Sequence, residues 1–353
     1  MKKKLIMLFL SLSLLIFPGC SNRNIDSKDS NIEVRGLTLK ISLITVAYDV
    51  YRVNFKNTTE FNEELYKNGG KYGLQYYEWL KNTYSTMDSN MKRRLIRIFD
   101  DYGGPQYITE TISLDDNASV EEIVEKLNSQ SNLALGETLK EDIQVFFNYF
   151  YKEYLKDLIQ ENNPSIEKDV KKMNSFLAKK NTDIFKFMEE NSGIKFKKDY
   201  KALFYYDLAP IGAMGFEHEN YKISTIQPGT STDNLLSTPF HEFSHELFRN
   251  FTRKDDFTKI ADNLRKDKYL VDSYEKLGKS AYDWIGWCEE NLVQGFTRYL
   301  GYKQYGKKIN VNTYAYDLEF YNYLIENNFS TEDVSLEDIS IEFYKKVLEE
   351  KSK

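Results

Sequence analysis

The stretch HEFSHELF, residues 241–248, carries two of the three histidines in a chain of 353 residues, each followed by a glutamate. At this composition a His-Glu-x-x-His match arises by chance roughly 0.003 times per chain, so the spacing needs a physical explanation. It constrains the fold before anything else does. Two residues four apart stand about 40° apart around a helix axis and about 6 Å along it, so on a helix His241 and His245 reach a single ion. Glu242 is offset by one residue and is placed to hold a water on that ion rather than to touch the ion. The flanking residues read as a helix start, with Ser237 or Thr238 able to cap it and Pro239 suited to its first position.

Two histidines leave a tetrahedral catalytic site one protein ligand short. His218 sits in a predicted strand, GFEHEN, where it reads as a strand histidine or a hydrogen-bond donor at the cleft. The residues after His245 lack the glycine and third histidine of a single extended motif. A carboxylate from another helix is therefore expected, and DWIGWCEENLVQGFTRYLGY supplies two. Leu292, Val293, Phe296, Tyr299 and Leu300 recur at helical spacing and mark a buried face, with Glu289 and Glu290 at its edge. Burying an unpaired carboxylate is costly and a cation compensates it. Spacing leaves both acids open as the ligand, and leaves open a solvated pair at a helix N-terminus. Tyr282, Tyr299, Tyr302 and His218 are candidate donors to a developing oxyanion, and Glu246 reads as a solvated or supporting acid.

The N-terminus sets the compartment. MKKKLIMLFLSLSLLIFPGCSN has the charged, apolar, small-residue order of a secretory signal over residues 1–20. Its apolar run reaches only about 20 Å as a helix, short of the roughly 30 Å hydrocarbon core, which disfavours a permanent span. Gly19-Cys20 resembles a bacterial lipoprotein cleavage site, although Phe17 and Pro18 depart from the usual residues there. Cys20 would carry the lipid, residues 21–31 would be a polar tether, and the protein would sit on the extracytoplasmic face of the cell membrane, or be secreted if the site is not used. Cys288 would then be the one remaining thiol, read as a small core residue, and no intrachain disulfide could form. A net charge of −6 with mixed signs argues against a nucleic-acid partner.

From residue 32 to 353 the patterning predicts an α+β fold, mostly helical with a small mixed sheet. The helix bearing His241 should pack on a second ligand-bearing helix. The β-branched run from Ile32 to Val46 predicts one or two strands. From Thr58 to about Gly193 apolar residues recur at helical spacing, with Gly-Gly and Asn-Pro as breaks. Strand character returns at YKALFYYDL and GAMGFEHENYKISTI, a hairpin or two neighbouring strands separated at Pro210. Residues 32–198 thus form an N-terminal part and 199–353 a catalytic part.

His241-Glu242-x-x-His245, followed after 44 residues by a helix with Glu290-Asn-Leu-Val, resembles the gluzincin zinc metallopeptidases. HEFSH, EENLVQGFTRYL and ISLITVAYDVYR are also similar to an uncharacterised bacterial family of metallopeptidase-like lipoproteins, one of the domains of unknown function. The resemblance implies one zinc ion held by His241, His245 and Glu290, with Glu242 as general base, acting on a peptide or protein substrate. It makes GAMGFE the edge strand that lines the substrate cleft. Gln294 stands where thermolysin-like members carry an aspartate that supports the first histidine. A cell-wall amidase uses the same machinery and is the rival hydrolase. A non-catalytic zinc-containing surface lipoprotein is the other rival, but a closed structural site has no use for Glu242.

Overall fold

The computed structural model describes residues 31–55, 62–129, 133–180, 183–279, 282–306 and 308–351. The expected signal segment, Cys20 and nearly all of the tether lie outside them. Ile32–Arg35 forms a short strand (β1), but the β-branched run behind it does not continue as one. Leu39–Asn54 is a helix (α1), a correction to the strand reading through Val46. Burial on every side explains the difference. Ile41, Leu43, Ile44, Val46, Ala47, Val50 and Val53 are all buried, as are Lys40, Ser42, Thr45 and Asp49, so no polar face imposes a 3.6-residue period.

Helices α2 (Glu63–Lys67), α3 (Gly70–Thr86), α4 (Ser89–Asp101), α5 (Gly104–Thr111), α6 (Val120–Ser129) and α7 (Glu137–Phe150) follow, with α3, α4, α5 and α6 packing on α1. A π-helical turn, Tyr151–Leu155, joins α7 to α8 (Lys156–Lys180), and α9 (Ile184–Ser192) closes this part. The expected Asn-Pro break is absent, because Pro164 lies inside α8. The buried stripe of Leu158, Ile166, Met173 and Leu177 holds the helix on both sides of a residue that costs about 3 kcal/mol there.

Strands β2 (Lys201–Tyr206), β3 (Gly215–His218) and β4 (Tyr221–Ile226) complete a mixed four-stranded sheet in the order β1-β2-β4-β3. β1 and β4 both run parallel to β2, with Val34 opposite Phe204 and Phe204 opposite Ser224. β3 and β4 form an antiparallel hairpin whose turn places Glu219 at φ 52°. The segments before and after residue 198 therefore share one sheet. On the outer edge of β1 the Asn174 side chain of α8 accepts from Val34 N–H at 2.9 Å and donates to Val34 C=O at 2.7 Å.

Across one face of this sheet lies α10 (Ser237–Arg249), with the Phe243 ring 6.4 Å from Phe204. Its start differs from the expectation. Neither Ser237 nor Thr238 caps it, and Pro239 is its third residue, because Leu236 already has helical dihedrals and Ser237 N–H donates to Asn234 C=O in the preceding turn. Beyond α11 (Asp255–Asn263) and α12 (Lys268–Ser273) comes α13 (Trp284–Tyr305), started by the Asp283 carboxylate accepting from Gly286 N–H and packed on α10. α14 (Asp317–Glu326) packs on α13, and α15 (Leu336–Lys351) packs on α11 and α14 and reaches α13 through the Tyr344 hydroxyl, which donates to Cys288 C=O at 2.6 Å. Among the described residues no helix is long and apolar enough to cross a membrane.

Candidate metal centre

The Phe248 and Phe296 rings, 5.7 Å apart, pack α10 against α13 and bring the faces of His241, His245 and Glu290 together. His241 Nε2 is 3.0 Å from Glu290 Oε1, and His245 Nε2 is 3.4 Å from Glu290 Oε2. One ligand atom from each of the three residues lies within 4.8 Å of the others, so this group could hold a metal ion. Both ring Nδ1 atoms face away from the cluster, His241 to Gln294 Oε1 at 2.8 Å and His245 to Glu289 Oε1 at 3.0 Å.

These partners fix the ring chemistry. Each Nδ1 faces a side-chain oxygen, Glu289 Oε1 for His245 and Gln294 Oε1 for His241, an acceptor to which Nδ1–H donates. With Nδ1 so engaged, both rings turn Nε2 toward the oxygens of Glu290. Both of those oxygens are buried, with the two rings and the Tyr314 phenol around them. In the metal-free chain a proton on His241 Nε2 joins it to Glu290, and an ion bound by the same three groups would take the place of that proton. Two imidazoles and one carboxylate form a donor set that suits zinc and its neighbours among the transition metals.

The protonation equilibria show how strongly His241 and Glu290 interact. Burial opposes a charged His241, but the adjacent Glu290 carboxylate more than reverses this and lifts its pKa to about 9. Burial likewise opposes ionisation of Glu290, yet His241, His245 and the Tyr314 phenol carry its carboxyl below the usual range. Glu242 moves the other way. Its burial raises the pKa despite the two histidines, which suits a proton acceptor better than a carboxylate of ordinary acidity does.

Glu289, the alternative ligand, points away from the Glu290 oxygens. It holds His245 Nδ1, accepts from the Thr252 hydroxyl at 2.5 Å, and lies 3.5 Å from Arg249 Nε. It therefore orients a ligand ring rather than joining the cluster.

Glu242 lies under the start of β3. A Cβ on Gly215 would fall 2.5 Å from Glu242 Oε2 and 2.8 Å from its Cβ, so the edge strand passes this close because position 215 is glycine. Beside it opens a cleft of about 370 Å³, walled by Gly212 and Ala213 on the sheet side and by Tyr282 and Tyr314 near Glu290.

Of the four oxyanion candidates only Tyr282 lines this cleft. His218 faces a different cavity with Arg35 and Tyr205, on the far side of the sheet edge. Tyr299 donates to Phe329 C=O at 3.0 Å, and Tyr302 packs on the Tyr321 ring. Their helical positions turn both toward α14 and the segment behind it. Glu246 is buried rather than solvated: it accepts from Lys197 N–H and pairs with Lys222, tying α10 to the sheet. Cys288 is buried, and burial pushes its thiol pKa up.

Tyr314 escaped the sequence. Asp317, fully buried, accepts from Tyr314 N–H at 2.9 Å and from Arg298 Nε at 2.8 Å, while Tyr316 N–H donates to Asn291 at 2.8 Å. These bonds lay the segment before α14 against α13 and put Tyr314 in the cleft. The residues NTYAYD signal a helix start and nothing more. Burial, with Glu290 nearby, raises the phenol pKa of Tyr282 and Tyr314, so both stay neutral donors.

No protein-family model, curated protein or solved structure matches this chain. The likeness to gluzincins rests on the site residues.

Proposed function

We propose that this chain is a zinc-dependent peptidase working outside the cytoplasm, tethered to the membrane through a lipid on Cys20. The observation that carries the reading is the convergence of the His241 and His245 Nε2 atoms on the two buried oxygens of Glu290, with Glu242 beside them under the edge strand. His241, His245 and Glu290 would hold the ion. Zinc there would lower the pKa of a water from 15.7 toward about 7 and polarise the scissile carbonyl.

The chain's own groups do the rest. Glu242 accepts the proton of the attacking water and returns it to the leaving amine. Tyr282 and Tyr314, held neutral, donate to the carbonyl oxygen as its charge grows. Gln294 and Glu289 fix the two imidazole rings so that the Nε2 atoms keep their direction.

Glu242→Gln tests the reading. The variant keeps the shape and hydrogen bonds of the glutamate, so zinc content measured on the purified protein should stay at one ion per chain. Cleavage of a peptide library should fall by at least about 10²- to 10⁴-fold. Full activity in the variant, or a zinc-loaded wild-type protein that cleaves no peptide, would overturn it; in the second case a cell-wall amide becomes the substrate to try.

A further inference from the structure

The cleft has two unlike ends. Where α13 begins, the Tyr282 and Tyr314 phenols stand beside Glu290. The other end lies between the first turn of α10 and the middle of α13, because the helices run antiparallel: His245 meets Glu289, His241 meets Gln294, and Ser237 and Thr238 line the cleft with Thr297. Ser237 and Thr238 stand one helical turn before His241 and share its face. Thr297 stands two turns beyond Glu290 on the face that carries Gln294.

At this second end the side chains are neutral and polar. The Gln294 carbonyl oxygen is taken by His241, and its NH₂ group is left over for the cleft. The Ser237 and Thr238 side chains line the cleft at the helix start, where the cap position itself is Leu236 and supplies no side-chain hydrogen bond. The Thr297 hydroxyl donates to Val293 C=O at 2.8 Å, which leaves its oxygen as an acceptor. Apart from His241, Glu242 and Glu290, no residue lining the cleft is charged.

We propose that this end is the subsite for the side chain flanking the scissile bond, and that it selects a short side chain ending in a carboxamide or a hydroxyl. The inference rests on the peptidase reading for its substrate. A carboxamide matches the donors of Gln294, Ser237 and Thr238 with its oxygen and the acceptor of Thr297 with its NH₂ group. An aliphatic side chain of the same shape would cover these groups and leave them without partners. A carboxylate would lie close to Glu242 and Glu290 with no cation of its own, and an ammonium or guanidinium group would meet no free acid beyond those of the metal centre.

The test uses the zinc-loaded wild-type protein and four small hydroxamates that share the metal-binding group. They differ in one side chain: hydrogen, hydroxymethyl, carboxamidomethyl or isobutyl. Calorimetry reads the dissociation constants whether or not the protein turns anything over. The carboxamide compound should bind on the order of tenfold more tightly than its isobutyl isostere. In the Ser237→Ala/Thr238→Val double variant the gap should shrink to about threefold or less, with the hydrogen-bearing parent unchanged. Equal or tighter binding of the isobutyl compound, or a gap that survives the double variant, overturns the subsite. Discrimination without any peptide cleavage would remove the peptidase reading and uphold the subsite, whereas failure of even the parent compound to bind would overturn both.

Discussion

Two regions of the molecule bury acids, one between α1 and the end of β2 and the other between α10 and α13. In the first, Asp49 pairs with Arg52 and accepts from the Tyr76 hydroxyl at 3.1 Å, and Asp207 accepts from the Thr45 hydroxyl at 2.9 Å. Asp207 Oδ2 is buried without a hydrogen-bond partner, and the Glu290 oxygens are buried too, but with imidazole nitrogens facing them. The outcomes are opposite. Burial, reinforced by Asp49, pushes the Asp207 carboxyl up to about 7, so Asp207 takes a proton, whereas the histidines hold Glu290 below the usual range. An orphaned carboxylate oxygen thus does not define a metal centre. What sets Glu290 apart is that two imidazole nitrogens converge on it in a group that could hold a metal ion.

The comparison breaks first at the histidines. His245→Ala should abolish zinc retention through dialysis, since removing one partner of a buried charged cluster costs roughly 3–5 kcal/mol. Asp49→Asn or Asp207→Asn should leave one zinc per chain. Metal loss from either aspartate variant would erase the distinction between the regions.

Next comes pH. The Asp207 carboxyl keeps its proton to about pH 7 in the folded chain, whereas an unfolded aspartate loses it near 3.8. Across that window the folded state binds more protons, so stability falls as pH rises, by up to about 4 kcal/mol. Asp207→Asn should flatten this part of the profile, read as melting temperature between pH 4 and pH 8. Parallel profiles for variant and wild type would show that Asp207 is ionised throughout.

A smaller effect sharpens the second region. Glu289→Gln keeps a hydrogen bond to His245 Nδ1 but removes the negative charge behind the ring, and zinc affinity measured by chelator competition should drop about 10- to 100-fold. An unchanged affinity would mean that the charge of Glu289 is irrelevant to the ligand. His218→Ala should do least, with zinc content and cleavage both within about twofold of wild type, because His218 faces another cavity.

Much of this was legible in the sequence, for reasons that differ by element. The spacing of His241 and His245 implies a helix because no other local structure brings those rings together. The choice of Glu290 over Glu289 was not legible, since both acids are buried on α13 and a shift of 100° about its axis is decided only by how α10 docks. Tyr314 was invisible because its place depends on Arg298, Asp317 and Asn291 acting on backbone groups. The strand reading of α1 failed where a helix is wrapped on all sides, which removes the periodicity that identifies most helices.

The Asn174 amide on β1 has a consequence for how the sheet meets other chains. By accepting from and donating to Val34 it imitates one rung of a neighbouring strand and leaves an incoming edge nothing to grip at that position. At the far side β3 ends the sheet with Gly215 above Glu242. The two borders of the sheet thus differ: a side-chain amide occupies one rung of the first, and the second runs directly over the Glu242 carboxylate.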